Sequence, residues 1–507
     1  MMSNAKQSTI NAKKALFRFE GTACATATSV VNNSTQNTMV VCKPSAYRIV
    51  VMFPWLTRLM ESIENQLDVS PCNLRRFLHS FVMEMFVERV KCGLAERVEN
   101  ALRLPDSAKS AERPNVLASC ETVLELCKEV HGLIVSMSAY ADKFSALWLL
   151  LLTDYYRSME DAFDKMTPST NDVEGSTRRL KLSAAWAADD DISRLLMSLP
   201  NWHAVSNTPL TPAAESESDI KDRNKRESEI LIANLGTQAQ NKMKATELMT
   251  EMNDVAAFAY LHESLRWFCD QNYLLMNSLP NEVKETLTKC TVQMRMRNGE
   301  VMDNESVLDA LDECTQRLNT IADTCLLMLH IEVRVHCFFH LLPLAKQRNT
   351  SAHEEVDPEV VVLGKDLQEF AKVLSSILSV SKLRYVFDGV GHLCASIFIH
   401  LSQFMPRLTE AGKKRVCRNV WGVQQRLSSI TSRRESELDR ARAFFDLLLS
   451  HDPDSLLSVI PDKRSVFTPI ELSYLLALAV RSDKTLASQH GALEQRQQQL
   501  NAILRKN

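Results

Sequence analysis

Apolar side chains recur at the spacing of an α-helix over most of the chain. A long stripe over residues 118–166 predicts two helices or one bent helix, and further helical patterns cover about 229–278 and 303–343. Residues 357–507 show the pattern of consecutive helices. No segment shows the alternation of apolar and polar residues that is typical of a β-strand. The pattern therefore predicts an all-α fold. One packing seam steps by three and four residues through Leu311, Cys314, Leu318, Ile321 and Cys325.

Three segments carry the residues that favour a helix start. Thr468-Pro469-Ile470-Glu471 combines an N-cap, a first-turn proline and a capping-box glutamate. The acidic run at 189–191 places negative charge where a helix dipole favours it. Ser70 followed by Pro71 has the form of an N-cap and a first-turn proline. We expect a helix to begin at each of the three.

Breaks in the pattern predict the domain organisation. Residues 1–45 are rich in Ser, Thr and Asn and predict an irregular N-terminal lead. Residues 46–202 and 229–350 predict two helical bundles, separated by a charged linker at 203–228 that lacks an apolar face. A second break at 346–356 precedes a C-terminal bundle at 357–507. We expect limited bending at the two breaks, and an exposed polar segment at 489–504.

Composition disfavours most small-molecule chemistry. Only 12 of 507 residues are glycine, whereas phosphate loops, nucleophile elbows and tight hairpins rely on that residue. A net charge of −3 offers no general attraction for nucleic acid. The 13 cysteines are scattered without any CxxC, which favours free thiols in a reducing compartment. We expect a non-enzymatic, cytoplasmic protein that uses no cofactor and binds no nucleic acid.

The strongest metal candidate is a histidine-rich segment at 329–340. His336 and His340 are four residues apart and can face one ion, and His330 lies on an adjacent part of the helix surface. The glutamate of an HExxH motif is absent, because Cys337 occupies its position. Without a complete ligand set we favour a structural helix and predict no metal.

Two other features also have a structural interpretation. His392 and His400 lie about 12 Å apart along a helix, which is too far for one ion. Gly389 and Gly391 form a lone GxG without a preceding strand, which indicates a helix start or a close helix contact instead of a phosphate loop.

The densest basic cluster is Lys413, Lys414, Arg415 and Arg418. Such a cluster suits anionic lipid or an acidic partner subunit, and it equally suits an ordinary solvated helix face. We name these four residues as the candidate interaction site.

Several segments together resemble one protein family, the Sec8-type subunits of the exocyst. The resemblance covers roughly residues 40–485, and its order along the chain also fits the family. It corresponds to the central and C-terminal portion of the family's longer chains. The segments that carry it are 182–202 (LSAAWAADDDISRLL through SLPNW), 262–267 (HESLRW), 329–346 (LHIEVRVHCF through LPLAK), 417–427 (CRNV and QQRL) and 434–442 (RESELDRAR).

The resemblance implies elongated tandem helical bundles of the multisubunit-tether type. It also implies a non-catalytic role in vesicle tethering before exocytosis, with other exocyst subunits as partners and indirect contact with the plasma membrane. The family's N-terminal coiled-coil half is not part of this sequence. Some relatives end in a short apolar PDZ-type tail, whereas this chain ends Arg505-Lys506-Asn507, so no partner of the PDZ type is expected.

Two alternatives stay open at the level of sequence. A subunit of a different helical membrane-tethering complex would share the rod architecture and act at Golgi or endosomal membranes. A histidine-liganded metalloprotein would use His330, His336 and His340. The family segments weigh against the first alternative, and the incomplete ligand set weighs against the second.

Overall fold

Helices pack in succession along the chain in a computed structural model. It describes residues 45–103, 113–168, 180–206, 215–236, 243–295, 301–346 and 355–505. The α-helices of these residues are α1 Arg48–Leu67, α2 Asn73–Ser80, α3 Val87–Leu102, α4 Ala118–Ser136, α5 Ala141–Met166, α6 Leu182–Ala187, α7 Asp190–Met197, α8 Pro200–His203, α9 Glu217–Gly236, α10 Met252–Asn277, α11 Asn281–Lys289, α12 Val307–Leu341, α13 Pro358–Ser375, α14 Val380–Phe387, α15 Val390–Leu401, α16 Glu410–Thr431, α17 Glu437–Ser450, α18 Pro453–Lys463, α19 Pro469–Ser482 and α20 Ala492–Arg505. The predicted all-α helical-bundle rod is confirmed.

One short β-hairpin interrupts the helices. Strands β1 (Thr291–Arg295) and β2 (Val301–Ser306) pair in antiparallel fashion between α11 and α12, with Thr291 opposite Ser306. The expectation that the chain contains no strand is wrong at this point. Each strand has only five or six residues, which is too short for a periodic pattern to distinguish it from the helices on either side.

Helix α12 lies at the centre of the fold. Along its second half almost every side chain is buried, from Cys325 to Phe338, and the helix packs against α5, α6, α10, α13, α14 and α15. Length and composition alone would let the segment Val307–Lys346 cross a membrane, but the fold buries it among other helices. The second half of α12, which is buried on every side, therefore serves as the centre of the protein core.

Two of the three predicted helix starts are confirmed. The Asp189 carboxylate accepts hydrogen bonds from the backbone N–H groups of Asp191 and Ile192 at the start of α7. At α19 the Thr468 hydroxyl and the Glu471 carboxylate form the reciprocal capping box. The 118–166 stripe forms two helices, α4 and α5, which meet at an angle of 112°.

The predicted start at Ser70 and Pro71 is wrong. Helix α2 begins at Asn73, and the capping group comes from α1, where Glu64 accepts the Cys72 N–H at 2.9 Å. The same carboxylate pairs with the Arg75 guanidinium at 2.8 Å. The hydrogen bonds from Arg75 and from the Cys72 backbone lower the pKa of Glu64 to about 2. A residue in the preceding helix thus replaces the local cap that the sequence predicted.

The interpretation of residues 203–228 as a linker is wrong for its second half. Residues from Glu217 onward form α9, and Arg223, Glu227 and Leu231 are all buried. Their spacing of four residues places them on one helix face. Two of these three buried side chains are charged, and their ion-pair partners lie elsewhere in the fold. A search for an apolar stripe therefore overlooks this face.

The C-terminal segment is mostly exposed, as expected, but a few of its residues anchor it to the fold. Helix α20 packs against α18 and α19, with Ala492 and Leu500 buried. Arg496 between them forms a two-point ion pair with Asp454 of α18. The buried side chains of Ala492 and Leu500 and the ion pair of Arg496 follow one another at intervals of four residues. They lie on one face of α20 and fix this mostly polar helix to α18 and α19.

The expected N-terminal lead lies outside the described residues, apart from its last position. The division into three bundles stays a prediction. Buried apolar side chains form one continuous core, and α12 contacts helices on both sides of the predicted boundaries.

Acidification below neutral pH is expected to destabilise the fold through His262. This α10 side chain is fully buried, its Nδ1–H donates to the Ala322 carbonyl oxygen at 2.7 Å, and its Nε2 has no hydrogen-bond partner. Burial, together with the nearby positive charges of Lys382 and Arg266, lowers the pKa of His262 to about 3. Below pH 6.5 His262 is therefore protonated in the unfolded chain and stays neutral in the folded chain. The free energy of unfolding falls as the pH drops from 6.5 towards 3.

His262 alone is expected to lower the free energy of unfolding by about 2 kcal/mol at pH 5 relative to pH 7, and urea unfolding of the wild type and a His262 variant at both values isolates this contribution. The His262→Gln variant removes this proton and should show a smaller difference between the two pH values. His203→Gln, at a less buried position, serves as the control. Equal pH dependence in the wild type and His262→Gln would contradict the assignment.

Candidate interaction surfaces and histidine clusters

The basic cluster does not form one exposed patch. On α16 the Lys413 ammonium binds Glu410 and the Leu448 carbonyl oxygen of α17, the latter at 2.8 Å. The Arg415 guanidinium binds Asp357 before α13 at 2.5 Å. Arg418 is half-buried and Lys414 is exposed. At least two of the four cations thus join helices within the chain, and the role of the cluster in partner binding stays a prediction.

A different exposed surface lies on α1. Its Phe53 and Met60 face the core, while Val51, Met52, Trp55 and Leu59 lie on another side and are 71%, 45%, 68% and 50% exposed. Their spacing of three and four residues places them in one stripe, which we call the α1 apolar stripe. The Arg58 guanidinium lies 5.4 Å from the centre of the Trp55 ring.

Sequence reasoning overlooked this surface, although a signal was present. Residues 49–56 are apolar on every side of the helix, and such a helix is either fully buried or covered by something further. Only the packing of α1 shows which side faces outward. An exposed apolar stripe of this kind is typical of a protein contact.

His330 belongs to a buried ionic cluster that joins three helices. Glu227 of α9 lies 2.8 Å from both His330 Nε2 and Arg334 Nε on α12. His330 Nδ1 lies 2.9 Å from the Tyr385 carbonyl oxygen, and Arg334 also donates to the carbonyl oxygens of Val386 and Asp388 at the end of α14.

The charges in this cluster support one another. Although burial alone favours the neutral acid, the Arg334 guanidinium and His330 hold the pKa of Glu227 well below its usual range. Both ring nitrogens of His330 are engaged with these neighbours. The structure therefore separates His330 from the other two histidines of the candidate metal segment.

His336 and His340 do lie together, as their spacing predicted, and Asp366 of α13 joins them. The Asp366 Oδ2 atom is 3.3 Å from His336 Nδ1 and 2.9 Å from His340 Nε2. One potential ligand atom from each of the three residues lies within 4.8 Å of the others. Sequence reasoning missed Asp366, because it lies 26 positions after His340 and on a different helix.

The remaining sequence candidates have structural roles among the described residues. His392 Nδ1 lies 3.2 Å from Glu437 Oε2, whereas His400 contacts Gln403, so these two histidines do not converge. Gly389 has a φ of 78° directly before α15, a backbone conformation that favours glycine. The interpretation of the GxG as a helix start is confirmed.

An open crevice lies between α3 and α5. It has a volume of about 230 Å³ and is lined mainly by apolar side chains, among them Leu94, Val98, Leu147 and Leu151. Its edge carries Lys91 and Asp154, which lie on different helices and form ion pairs with Glu88 and Arg157, respectively. This composition resembles an open packing groove more than a polar reaction site.

Comparison with known proteins connects these features to one family. No protein-family profile matches the chain. It is 64% identical over 97% of its length to exocyst complex component 4 of Caenorhabditis elegans, and 34% identical over 88% of its length to that of Homo sapiens. It is 23% identical over 86% of its length to exocyst complex component SEC8 of Arabidopsis thaliana.

The chain spans about half the length of the relatives it matches, with 56% of the C. elegans protein and 46% of the human protein covered. The similarity to the C. elegans protein extends over nearly all of this chain. The resemblance seen in the sequence segments is thereby confirmed: over nearly its whole length the chain is similar to about half of exocyst complex component 4.

Proposed function

We propose that this chain is a non-catalytic part of an exocyst subunit that supports the docking of secretory vesicles at the plasma membrane before fusion. The similarity to exocyst complex component 4 over nearly the whole chain carries the proposal. The protein acts in the cytoplasm at sites of secretion, binds other exocyst subunits directly and reaches the membrane mainly through them. Its packed helices supply a stiff support for those contacts.

The α1 apolar stripe is the subunit-binding surface within this proposal. Its occupant is an apolar helix face of another exocyst subunit, because a helix of this kind covers a stripe with spacing of three and four residues. Trp55 is the central anchor, since a tryptophan offers a large contact area at low conformational cost. The basic cluster contributes at most a charged rim, with Lys414 as its exposed member.

Reconstitution with purified subunits tests the assembly. The tagged chain is mixed with recombinant exocyst subunits of C. elegans, whose component 4 is 64% identical to it, and bound proteins are recovered and quantified. We expect recovery of at least one subunit in a stable complex. Recovery of none would remove the assembly proposal and leave the helical fold untouched.

Surface variants then identify the contact. The double variant Trp55→Ser with Leu59→Ser is expected to weaken subunit binding at least about tenfold, because it removes an exposed anchor and its neighbour. Lys414→Glu should change the affinity by less than about threefold at physiological salt, as is typical of a rim charge. Circular dichroism confirms that both variants fold. A larger loss in Lys414→Glu would place the contact at the basic cluster instead.

A further inference from the structure

The cluster of His336, His340 and Asp366 has the arrangement of metal ligands. The two histidines are one helical turn apart on α12, and Asp366 faces them from α13. Two donors that bind one Zn²⁺ ion at 2.0–2.1 Å in tetrahedral geometry lie about 3.3 Å apart. The Asp366 Oδ2 atom lies 3.3 Å from His336 Nδ1 and 2.9 Å from His340 Nε2, so small side-chain adjustments admit an ion.

A supporting residue stands behind His336. Glu332 Oε1 lies 3.3 Å from His336 Nε2, the ring nitrogen opposite the proposed ligand atom. The Met249 N–H donates to the same carboxylate oxygen at 2.7 Å and holds it in place. A carboxylate behind a metal-bound histidine is the usual way of fixing its ring orientation and proton position. This carboxylate–histidine pair follows the design of many zinc sites.

Two buried polar atoms at the cluster have no hydrogen-bond partner. His336 and Glu332 are both buried, and neither His336 Nε2 nor Glu332 Oε2 has a hydrogen-bond partner of good geometry. Buried polar atoms normally find partners, so such a pair needs an explanation. An ion bound at His336 Nδ1 would place the ring proton on Nε2, where a slight rotation of the ring lets it donate to Glu332.

The charge of the site also suits a cation. The carboxylates of Asp366 and Glu332 lie on two sides of the His336 ring. Two carboxylates thus face one buried imidazole. A divalent ion bound at His336 and Asp366 balances the negative charge of these carboxylates.

Solvent has access to the open side of the cluster. The Asp366 side chain is 30% exposed and that of His340 is 11% exposed, whereas His336 lies beneath them. An ion can enter from this side, and a water molecule can complete four-coordination there. Two imidazoles and one carboxylate favour Zn²⁺ over Mg²⁺ or Ca²⁺, which prefer oxygen ligands.

We propose that His336, His340 and Asp366 bind one Zn²⁺ ion that fastens α13 to α12, with Glu332 as a positioning residue behind His336. The sequence disfavoured a metal because the ligand set around His336 and His340 was incomplete, and the fold places the third candidate, His330, in the Glu227 cluster. The folded chain supplies Asp366 in its place. The proposal is independent of exocyst assembly and concerns the stability of the central part of the fold.

Zinc binding to the purified full chain, stripped with a chelator, tests the site. We expect one Zn²⁺ per chain by equilibrium dialysis, a rise in Tm on addition of Zn²⁺ and no rise with Mg²⁺. Asp366→Asn and His340→Gln each remove one ligand, keep a similar shape and leave every cysteine in place. Both are expected to weaken Zn²⁺ binding by at least about tenfold.

The matched control is His392→Gln, which changes another buried histidine that faces a carboxylate, Glu437. It should bind Zn²⁺ as the wild type does. Circular dichroism without zinc shows whether each variant is folded. Zn²⁺ binding is then compared among the folded variants. Zinc binding that is absent in the wild type, or equal in the wild type and the ligand variants, would overturn the proposal.

Cobalt substitution provides a measurement that needs no variant. Co²⁺ bound by two imidazoles and a carboxylate gives the visible absorption of a four- or five-coordinate ion without a thiolate charge-transfer band. This spectrum would support the proposed ligands. A strong thiolate charge-transfer band would place the ion at cysteines and would overturn the assignment, because none of the proposed ligands is a thiol.

Discussion

Replacement of Arg334 by methionine is expected to lower the free energy of unfolding by about 3–5 kcal/mol, the largest effect of a single polar change that we foresee. Arg334 is almost completely buried and joins Glu227 of α9 to the carbonyl oxygens that end α14. Its removal leaves the buried Glu227 carboxylate without a guanidinium and next to the His330 imidazole, whose pKa is lowered by burial. The cost is that of an incompletely paired buried charge, together with unpaired carbonyl groups.

Urea unfolding of the wild type and Arg334→Met measures this loss. Arg194→Met is the control, because Arg194 forms an exposed ion pair with Asp191, and its loss should cost less than about 1 kcal/mol. In the double variant Arg334→Met with Glu227→Gln, the second change removes the stranded charge. The double variant should therefore lose less than the sum of the two single variants. Equal losses in Arg334→Met and Arg194→Met would refute the proposed role of the cluster.

Truncation of Trp148 to alanine is expected to cost about 3–5 kcal/mol. This α5 side chain is completely buried, and its Nε1–H donates to Asn272 Oδ1 on α10 at 3.2 Å. The Asn272 amide in turn donates to the Thr315 hydroxyl on α12 at 2.9 Å. The substitution thus opens a large cavity and leaves an amide oxygen unpaired at the junction of three helices.

Chemical denaturation again provides the measurement, with two comparisons. Trp148→Phe keeps most of the buried volume and loses the N–H, so it should cost clearly less than Trp148→Ala. Trp421→Ala changes a tryptophan of α16 that is 47% exposed and should cost about 1 kcal/mol or less. Similar losses for Trp148→Ala and Trp421→Ala would show that the α5 site is not a tightly packed part of the core.

Much of the fold follows from interactions between neighbours in sequence. The capping box of α19 lies within four consecutive residues, and Asp189 caps α7 from the position directly before it. The seam from Leu311 to Cys325 predicted a packed face of α12, and these five residues are buried or partly buried there. Helical periodicity and end signals are local, so they can be read without knowledge of the partner helices.

The predictions that were wrong at α2 and α9 share one property. In both, a residue outside the local segment supplies the hydrogen-bond or ion-pair partner. Helix α9 looks like a solvated charged segment until Arg334, His330 and Asp388 are placed beside Glu227 and Arg223. The start of α2 looks like a Ser-Pro cap until Glu64 reaches it from α1. In both cases the stabilising partner is a group that the local sequence does not contain, and for α9 that partner offsets the cost of burying a charge.

The sequence by itself determined that this protein is helical, where most of its helices lie and which family it resembles, because those properties depend on spacing along one chain. Tertiary structure alone decided which charges are buried, which side of α1 faces outward and which carboxylate meets the histidine pair of α12. The reason is geometric, since Asp366 becomes a neighbour of His336 and His340 only when α13 docks against α12. Helix docking thus selects among the faces that the sequence offers.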